Sequence, residues 1–85
     1  MLNAIVLITA EPQHVAALGP ALAAVDGVSE VYSVTGDEDL VALMHVNDTE
    51  RIATIVTEQI STMEGVTATR TLIAFRQYDP ADIQF

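Results

Sequence analysis

The chain has 85 residues, 51% of them hydrophobic, and carries 12 acidic residues against three arginines and no lysine, a net charge of −9. So short a chain forms one domain around one core. Its acidity argues against direct binding to nucleic acid or anionic membrane, because phosphate recognition depends on lysine and arginine, and the lack of cysteine excludes disulfides, thiolate zinc sites and cysteine nucleophiles.

The first half of the chain predicts a strand, a helix and a hairpin. Residues 2–10, "LNAIVLITA", form an apolar, β-branched run typical of a strand covered on both faces. Residues 12–25 repeat apolar side chains at helical spacing, and Pro20 within them predicts one bent helix. Residues 28–35 and 40–47 are rich in strand formers. Only "GDED" separates them, a loop length that favours an antiparallel hairpin.

The second half predicts one helix and one long strand. The helix falls within residues 47–63, and Asn47 or Asp48 is expected to cap it. Gly65 is expected to end this helix, as Gly27 ends the earlier one. Residues 66–77 then read as the longest strand. We expect the domain to span residues 1–78 and residues 79–85 to form a tail.

The resulting order, β-α-β-β-α-β, predicts a ferredoxin-like α+β sandwich in which two helices cover one face of a four-stranded antiparallel sheet. The last strand carries apolar side chains on both faces, with Leu72 and Ala74 on one side and Ile73 and Phe75 on the other. One of these faces has no helix over it. We therefore expect a second copy of the chain to cover the bare face.

The acidic turn at residues 36–39 admits three interpretations. Its carboxylates could be solvated turn residues, ligands of a hard cation, or one wall of a small-molecule pocket. Glu38, expected at the loop tip, fits the first. Asp39 fits the third, since it could pair with a ligand ammonium while backbone N–H groups near Gly36 approach the ligand carboxylate. The spacing lacks the alternating acids of an EF-hand, so we predict no metal site.

Two motifs, "TGDEDLVALMHV" and "EGVTATRTLIAF", resemble the ligand-binding half of the Lrp/AsnC transcription regulators, often called the RAM domain. The first supplies a G-D-x-D turn before the third strand, and the second a T-x-T in the fourth. The resemblance covers about residues 4–78. It implies dimerisation through the sheet, assembly of dimers into a higher oligomer, commonly an octameric ring, and amino-acid effectors bound between neighbouring dimers.

The resemblance also implies a set of ligand-binding residues. On their own, the threonines are ordinary strand residues and the aliphatic residues after them are expected in the core or an interface. Carried over position by position, the set is Gly36, Asp37, Asp39, Thr69, Thr71, Leu72, Ile73 and Ala74.

Full-length regulators of this type begin with a helix-turn-helix, whereas this chain begins at the first RAM strand. The resemblance therefore implies a stand-alone cytoplasmic module that senses an amino acid and oligomerises without binding DNA directly. It implies no cofactor, and a full-length Lrp/AsnC regulator is a further expected partner. The chain also lacks the basic start of a signal peptide, and no apolar run reaches the roughly 20 residues that span a bilayer.

Two alternatives remain open at this point. One is a purely structural oligomer. The other is a small ferredoxin-like dimeric enzyme of oxygenase or isomerase type, using Asn3 or His45 on the sheet. Because no serine or cysteine nucleophile is evident near a histidine, we predict that the protein is not an enzyme. Arg70 and Arg76 are expected to pair with carboxylates of a neighbouring subunit.

Overall fold

The structure, a computed structural model, describes residues 2–82 and consists of one antiparallel sheet with helices on one face. The strand order is β2-β3-β1-β4. The strands are β1 (Leu2–Ala10), β2 (Val28–Ser33), β3 (Leu40–Val46) and β4 (Val66–Ala74). The helices are α1 (Val15–Ala23), preceded by a 3₁₀ turn (Pro12–His14), and α2 (Thr49–Thr54), which continues as a π-helix (Ile55–Ile60). The ferredoxin-like α+β prediction is confirmed.

The elements agree with the predicted order, and their ends differ for local reasons. Pro20 lies inside α1 without ending it, and its carbonyl accepts the N–H of Ala24 at 3.1 Å. Asp48, and not Asn47, caps α2, because its carboxylate accepts the N–H of Arg51 at 2.8 Å. β4 is shorter than predicted, since Ala74 already pairs with Asn3 near the start of β1.

The core lies between the sheet and the helices and is built from alternate residues of the two central strands. In β1 and β3 every even-numbered residue from position 4 to 10 and from 40 to 46 is buried. This period of two places them on one face of the sheet. They pack against the buried helix residues Leu18, Leu22, Ile52, Ile55 and Ile60.

The opposite face of the sheet, which we call the open face, carries the odd-numbered residues of the same strands. Ile5 lies opposite Leu43 of β3 and Leu72 of β4, and Leu7 lies opposite Val41. Within residues 2–82 no helix covers them. Leu72 is 48% exposed, and the other four are partly exposed. A single copy of the chain thus leaves an apolar sheet surface in contact with water.

One glycine after each helix turns the chain into the next strand. Gly27 and Gly65 have φ values of 102° and 95°, in the region that favours glycine. The carbonyl of Gly65 accepts the N–H of Glu11 at 2.9 Å, and a Cβ at Gly65 would lie 2.4 Å from the Cβ of His14. The start of β4 is therefore held close against the segment that leads into α1.

Candidate functional site

The acidic turn joins β2 to β3 at the end of the sheet where β1 finishes. Gly36 has a φ of 119°, and a Cβ built there would meet nothing within 4 Å. Asp37 beside it is exposed. The backbone at Gly36 is consequently open to approach from outside, as the pocket interpretation of this turn requires.

Asp39 connects this turn to β1 through two hydrogen bonds. Its Oδ2 accepts the N–H of Ala10 at 2.8 Å, and its own N–H donates to the carbonyl of Ile8 at 2.9 Å. Its carbonyl accepts the N–H of Val34 at 3.0 Å. The Ala10 bond continues the contact between β1 and the β3 side of the sheet beyond the last paired residues, Ile8 and Leu40. Its Oδ1 has no hydrogen-bond partner among residues 2–82.

Glu38 and Arg70 form an ion pair, which corrects the expectation for Glu38. Nη2 of Arg70 donates to Oε1 of Glu38 at 3.0 Å. The side chain of Glu38 is only 26% exposed, so it is not a solvated loop tip. Arg70 pairs with a carboxylate of its own chain, and the expected pairing with a neighbouring subunit stays a prediction. The register explains this contact, since Arg70 lies opposite Leu7, close to the end of the sheet that carries the turn.

The residues of β4 in the predicted set divide between the two faces of the sheet. Thr69, Thr71 and Ile73 lie opposite Ile8, Val6 and Ala4, which all face the helices. Leu72 and Ala74 lie opposite Ile5 and Asn3 on the open face. Because β4 is an edge strand, its outer backbone edge has no partner strand within residues 2–82.

A cavity of about 570 Å³ lies along this edge of β4. Four of the predicted residues line it, namely Thr71, Leu72, Ile73 and Ala74, together with Leu2, Thr49 and Phe75. The other four, Gly36, Asp37, Asp39 and Thr69, line neither this cavity nor those on the open face, beside α1 and beside α2. One chain therefore brings half of the predicted site together at the β4 edge and holds the acidic turn at the end of the sheet.

Polar pairs on the open face were not expected from the sequence. Asn3 and His45 are opposite each other in the β1–β3 register, and Oδ1 of Asn3 is hydrogen-bonded to Nδ1 of His45. On β2, the hydroxyl of Tyr32 donates to the carboxylate of Glu30, and this bond raises the pKa of Tyr32. The spacing of Glu30 and Tyr32 places them on one face of a strand, which is the signal that would have indicated this pair.

The described part of the chain contains no cluster of three metal-binding side chains and no membrane-spanning helix. Over residues 2–82, His, Asp and Glu side chains form no group of three that could hold a metal ion. The helices of the same range are all too short or too polar to cross a bilayer.

The family model for the Lrp/AsnC ligand binding domain matches residues 3–82. Among solved structures, TTHA0845 from Thermus thermophilus is 49% identical with a TM-score of 0.88, and the match covers 93% of this chain and 99% of that one. FFRP-DM1 is 27% identical with a TM-score of 0.83, covering 88% of this chain and 100% of that one. No protein of curated function matches.

A longer relative has been solved with an amino acid bound. The feast or famine regulatory protein of M. tuberculosis, complexed with L-methionine, is 26% identical with a TM-score of 0.75. The match covers 99% of this chain and 56% of that one. The chain thus spans about half the length of that regulator and almost the full length of TTHA0845 and FFRP-DM1.

Proposed function

This chain belongs to the Lrp/AsnC ligand-binding domain family, and we propose that it is an amino-acid sensor that assembles through its open face and binds its effector between the resulting dimers. The observation that carries this proposal is the apolar sheet surface that one copy of the chain leaves uncovered. A relative complexed with L-methionine makes a free amino acid the expected ligand.

Dimerisation through the open face is supported by the side chains that it exposes. Ile5, Leu7, Val41, Leu43 and Leu72 form an aliphatic patch across the middle of the sheet. Each square ångström of apolar surface removed from water contributes roughly 25 cal/mol, so a second sheet packed on this patch stabilises the folded state. A further copy is the partner whose surface has the same chemistry.

The effector site is proposed to lie between dimers, because one chain does not complete it. The β4 edge offers an open apolar cavity, and the acidic turn lies apart from that cavity at the end of the sheet. A neighbouring dimer would bring its own turn or strand edge to the cavity. Oδ1 of Asp39 would accept the ligand ammonium, and backbone N–H groups near Gly36 would bind its carboxylate.

The proposed mechanism is linkage between ligand binding and assembly. A ligand that contacts two dimers at once stabilises the assembly by RT ln(1 + [L]/Kd), about 2.7 kcal/mol at a ligand concentration 100 times Kd. Rings of dimers, octameric in size, would therefore form or tighten as the amino acid becomes abundant. A full-length Lrp/AsnC regulator with the same surfaces would be a second partner.

The protein is proposed to act on gene regulation without contacting DNA itself and without catalysis. Its net charge of −9 opposes binding to a phosphate backbone. Two of the three arginines, Arg51 and Arg70, already face carboxylates of the same chain. They offer little to neutralise phosphates.

A thermal-shift screen of the twenty amino acids, followed by light scattering for mass, tests this function. We expect one or a few amino acids to raise the melting temperature and the mass together. Asp39→Asn keeps an oxygen that can accept the Ala10 N–H but removes the charge, so it should abolish the ligand response while leaving the dimer intact. Glu58→Gln, an equal change of charge on an exposed helix position, is the matched control.

Two results would contradict the proposal. If no amino acid changes the melting temperature or the mass, the chain is a structural oligomer and not a sensor. If Asp39→Asn responds as the unchanged protein does, the effector does not use the acidic turn.

A further inference from the structure

Charge on the open face is confined to its two edges. The central strands β1 and β3 contain neither an acidic residue nor an arginine. Glu30 lies on the edge strand β2, opposite Leu43, and Arg76 follows the other edge strand, β4. Both side chains line one cavity of the open face, so they lie near the same end of the sheet. The face therefore has a negative edge and a positive edge.

Arg76 differs from the other arginine of this face. Arg70, opposite Leu7, already pairs with Glu38 at 3.0 Å. Arg76 makes neither an ion pair nor a side-chain hydrogen bond with any of residues 2–82. An arginine keeps its charge at every physiological pH, so a surface that packs over Arg76 must supply an acceptor for it.

Glu30 is the matching carboxylate without a cation. Its Oε2 accepts the hydroxyl of Tyr32, which holds the side chain on the open face, and its Oε1 has no hydrogen-bond partner among residues 2–82. Two strands separate β2 from β4, a distance of three spacings of about 4.8 Å, so Glu30 and Arg76 of one copy stand apart. A carboxylate enclosed by a second copy lowers the stability of the dimer unless a cation meets it.

A two-fold dimer can bring two open faces together in two ways. With the symmetry axis along the strands, β4 of one copy lies over β2 of the other, and each contact occurs twice. Both charges lie near the same end of the sheet, so this arrangement sets Arg76 over Glu30. With the axis across the strands, the arginine edges face each other and the Glu30 edges face each other. Like charges brought together in this way oppose association.

We propose that Arg76 of each copy pairs with Glu30 of the other copy, and that these two ion pairs select the arrangement with β4 over β2. The inference rests on the proposed association through the open face and adds which edges meet. The aliphatic patch favours association without fixing its direction, whereas the charged edges fix it. The pairs also offset part of the repulsion between two copies that each carry a net charge of −9.

Exchange of charge between two separately purified variants tests the pairing. Arg76→Glu and Glu30→Arg should each weaken self-association at least about tenfold, because each homodimer then holds two contacts between like charges. When the two variants are mixed, the heterodimer should predominate, since both of its contacts again join an acid and an arginine. Native mass spectrometry with one variant isotope-labelled measures the proportion of heterodimer, and sedimentation velocity measures the self-association of each variant.

Arg51→Glu and Glu58→Arg are the matched controls, because they make the same changes of charge in the helix layer, away from the open face. Each should change self-association by less than about threefold, and their mixture should give the random proportion of heterodimer. The double variant Arg76→Glu/Glu30→Arg leaves the net charge unchanged and should regain the association of the unchanged protein.

The mixture separates a pair between copies from a pair within one chain. A pair within one chain would be restored in the double variant but not in the mixture. The inference is therefore overturned if the mixture gives no more heterodimer than the control mixture. If the unchanged protein dimerises and the single exchanges leave its association unaltered, this inference fails while the proposed assembly stands. An unchanged protein that remains monomeric would contradict both.

Discussion

The two faces of the sheet have nearly the same aliphatic character and very different surroundings. On the helix face, Val6, Ile8 and Met44 are at most 1% exposed. On the open face, Ile5, Leu7 and Leu43 come from the same two strands and remain partly exposed. Local sequence does not distinguish the two faces, since the side chains on both are mainly aliphatic. What separates them is that both helices return to the same side.

The comparison shows that the chain forms one core by itself and has the apolar surface for a second. The helix face is complete within one copy, so its side chains determine whether the chain folds. The open face contributes fully to stability only when something covers it, so we expect its side chains to determine how the chain associates. The polar and charged side chains Arg76, Glu30, Asn3 and His45 also lie on or beside the open face.

The largest effect is expected at Ile8 of the helix face. Ile8→Ala removes a side chain that is fully buried and should lower the free energy of unfolding by about 2–5 kcal/mol. Urea unfolding followed by circular dichroism measures it. Ile5→Ala, the same change three residues earlier on the open face, is the matched control. It should weaken self-association more than it lowers the stability of one subunit.

Equal losses of subunit stability at Ile8 and Ile5, measured at a concentration where the protein is monomeric, would contradict the distinction between the faces.

Gly65→Ala tests how the helix layer is held on the sheet. The added Cβ would lie 2.4 Å from the Cβ of His14, at a φ of 95° that L-residues avoid. We expect a loss of about 2–3 kcal/mol in the same unfolding assay. Gly36→Ala also has a positive φ but meets nothing within 4 Å, so it should lose only about 1 kcal/mol. A larger loss at Gly36 than at Gly65 would contradict this account.

Asp48→Ala tests the cap of the helix that covers the core. It removes the acceptor for the Arg51 N–H and should cost about 1 kcal/mol in unfolding free energy. Asn47→Ala, one residue earlier, should cost much less, because Asn47 is exposed and does not cap α2. If Asn47→Ala is the more damaging change, the cap assignment is wrong.

The smallest effect concerns the open face at alkaline pH. The hydrogen bond from Tyr32 to Glu30 raises the pKa of Tyr32 above the ordinary value of 10.0. Because the folded state holds the proton more tightly, this contribution to stability is complete below pH 10 and is lost as the pH rises through the raised pKa. Absorbance at the tyrosinate band should show that Tyr32 ionises at a higher pH in the unchanged protein than in Glu30→Gln. Tyr32→Phe identifies which part of the absorbance change comes from Tyr32. Identical titrations of Glu30→Gln and the unchanged protein would contradict the bond.

The sequence was sufficient to predict the fold, but not the contacts that hold the acidic turn. Periodicity of two and of 3.6 identified the strands and helices, and element order with short loops predicted the antiparallel sheet. The Asp39–Ala10 and Glu38–Arg70 contacts join residues 29 and 32 positions apart, so no local pattern indicates them. The same holds for the division of β4, where Thr71 and Leu72 are neighbours in sequence and face opposite sides.

The domain boundary after residue 78 stays a prediction, and Ile83 to Phe85 of the predicted tail lie outside the described residues. The ligand-binding set also stays a prediction. The subunit proposed to complete the site is another copy of the same chain, and the sequence of one copy does not determine how two copies pack.

Sedimentation velocity at micromolar concentration tests the central claim that a second copy covers the open face. The account predicts a dimer or a larger oligomer for the unchanged protein. It also predicts a folded species of 9.1 kDa for Val41→Glu, which places a charge in the middle of the open face. A well-folded 9.1 kDa monomer of the unchanged chain would contradict the account.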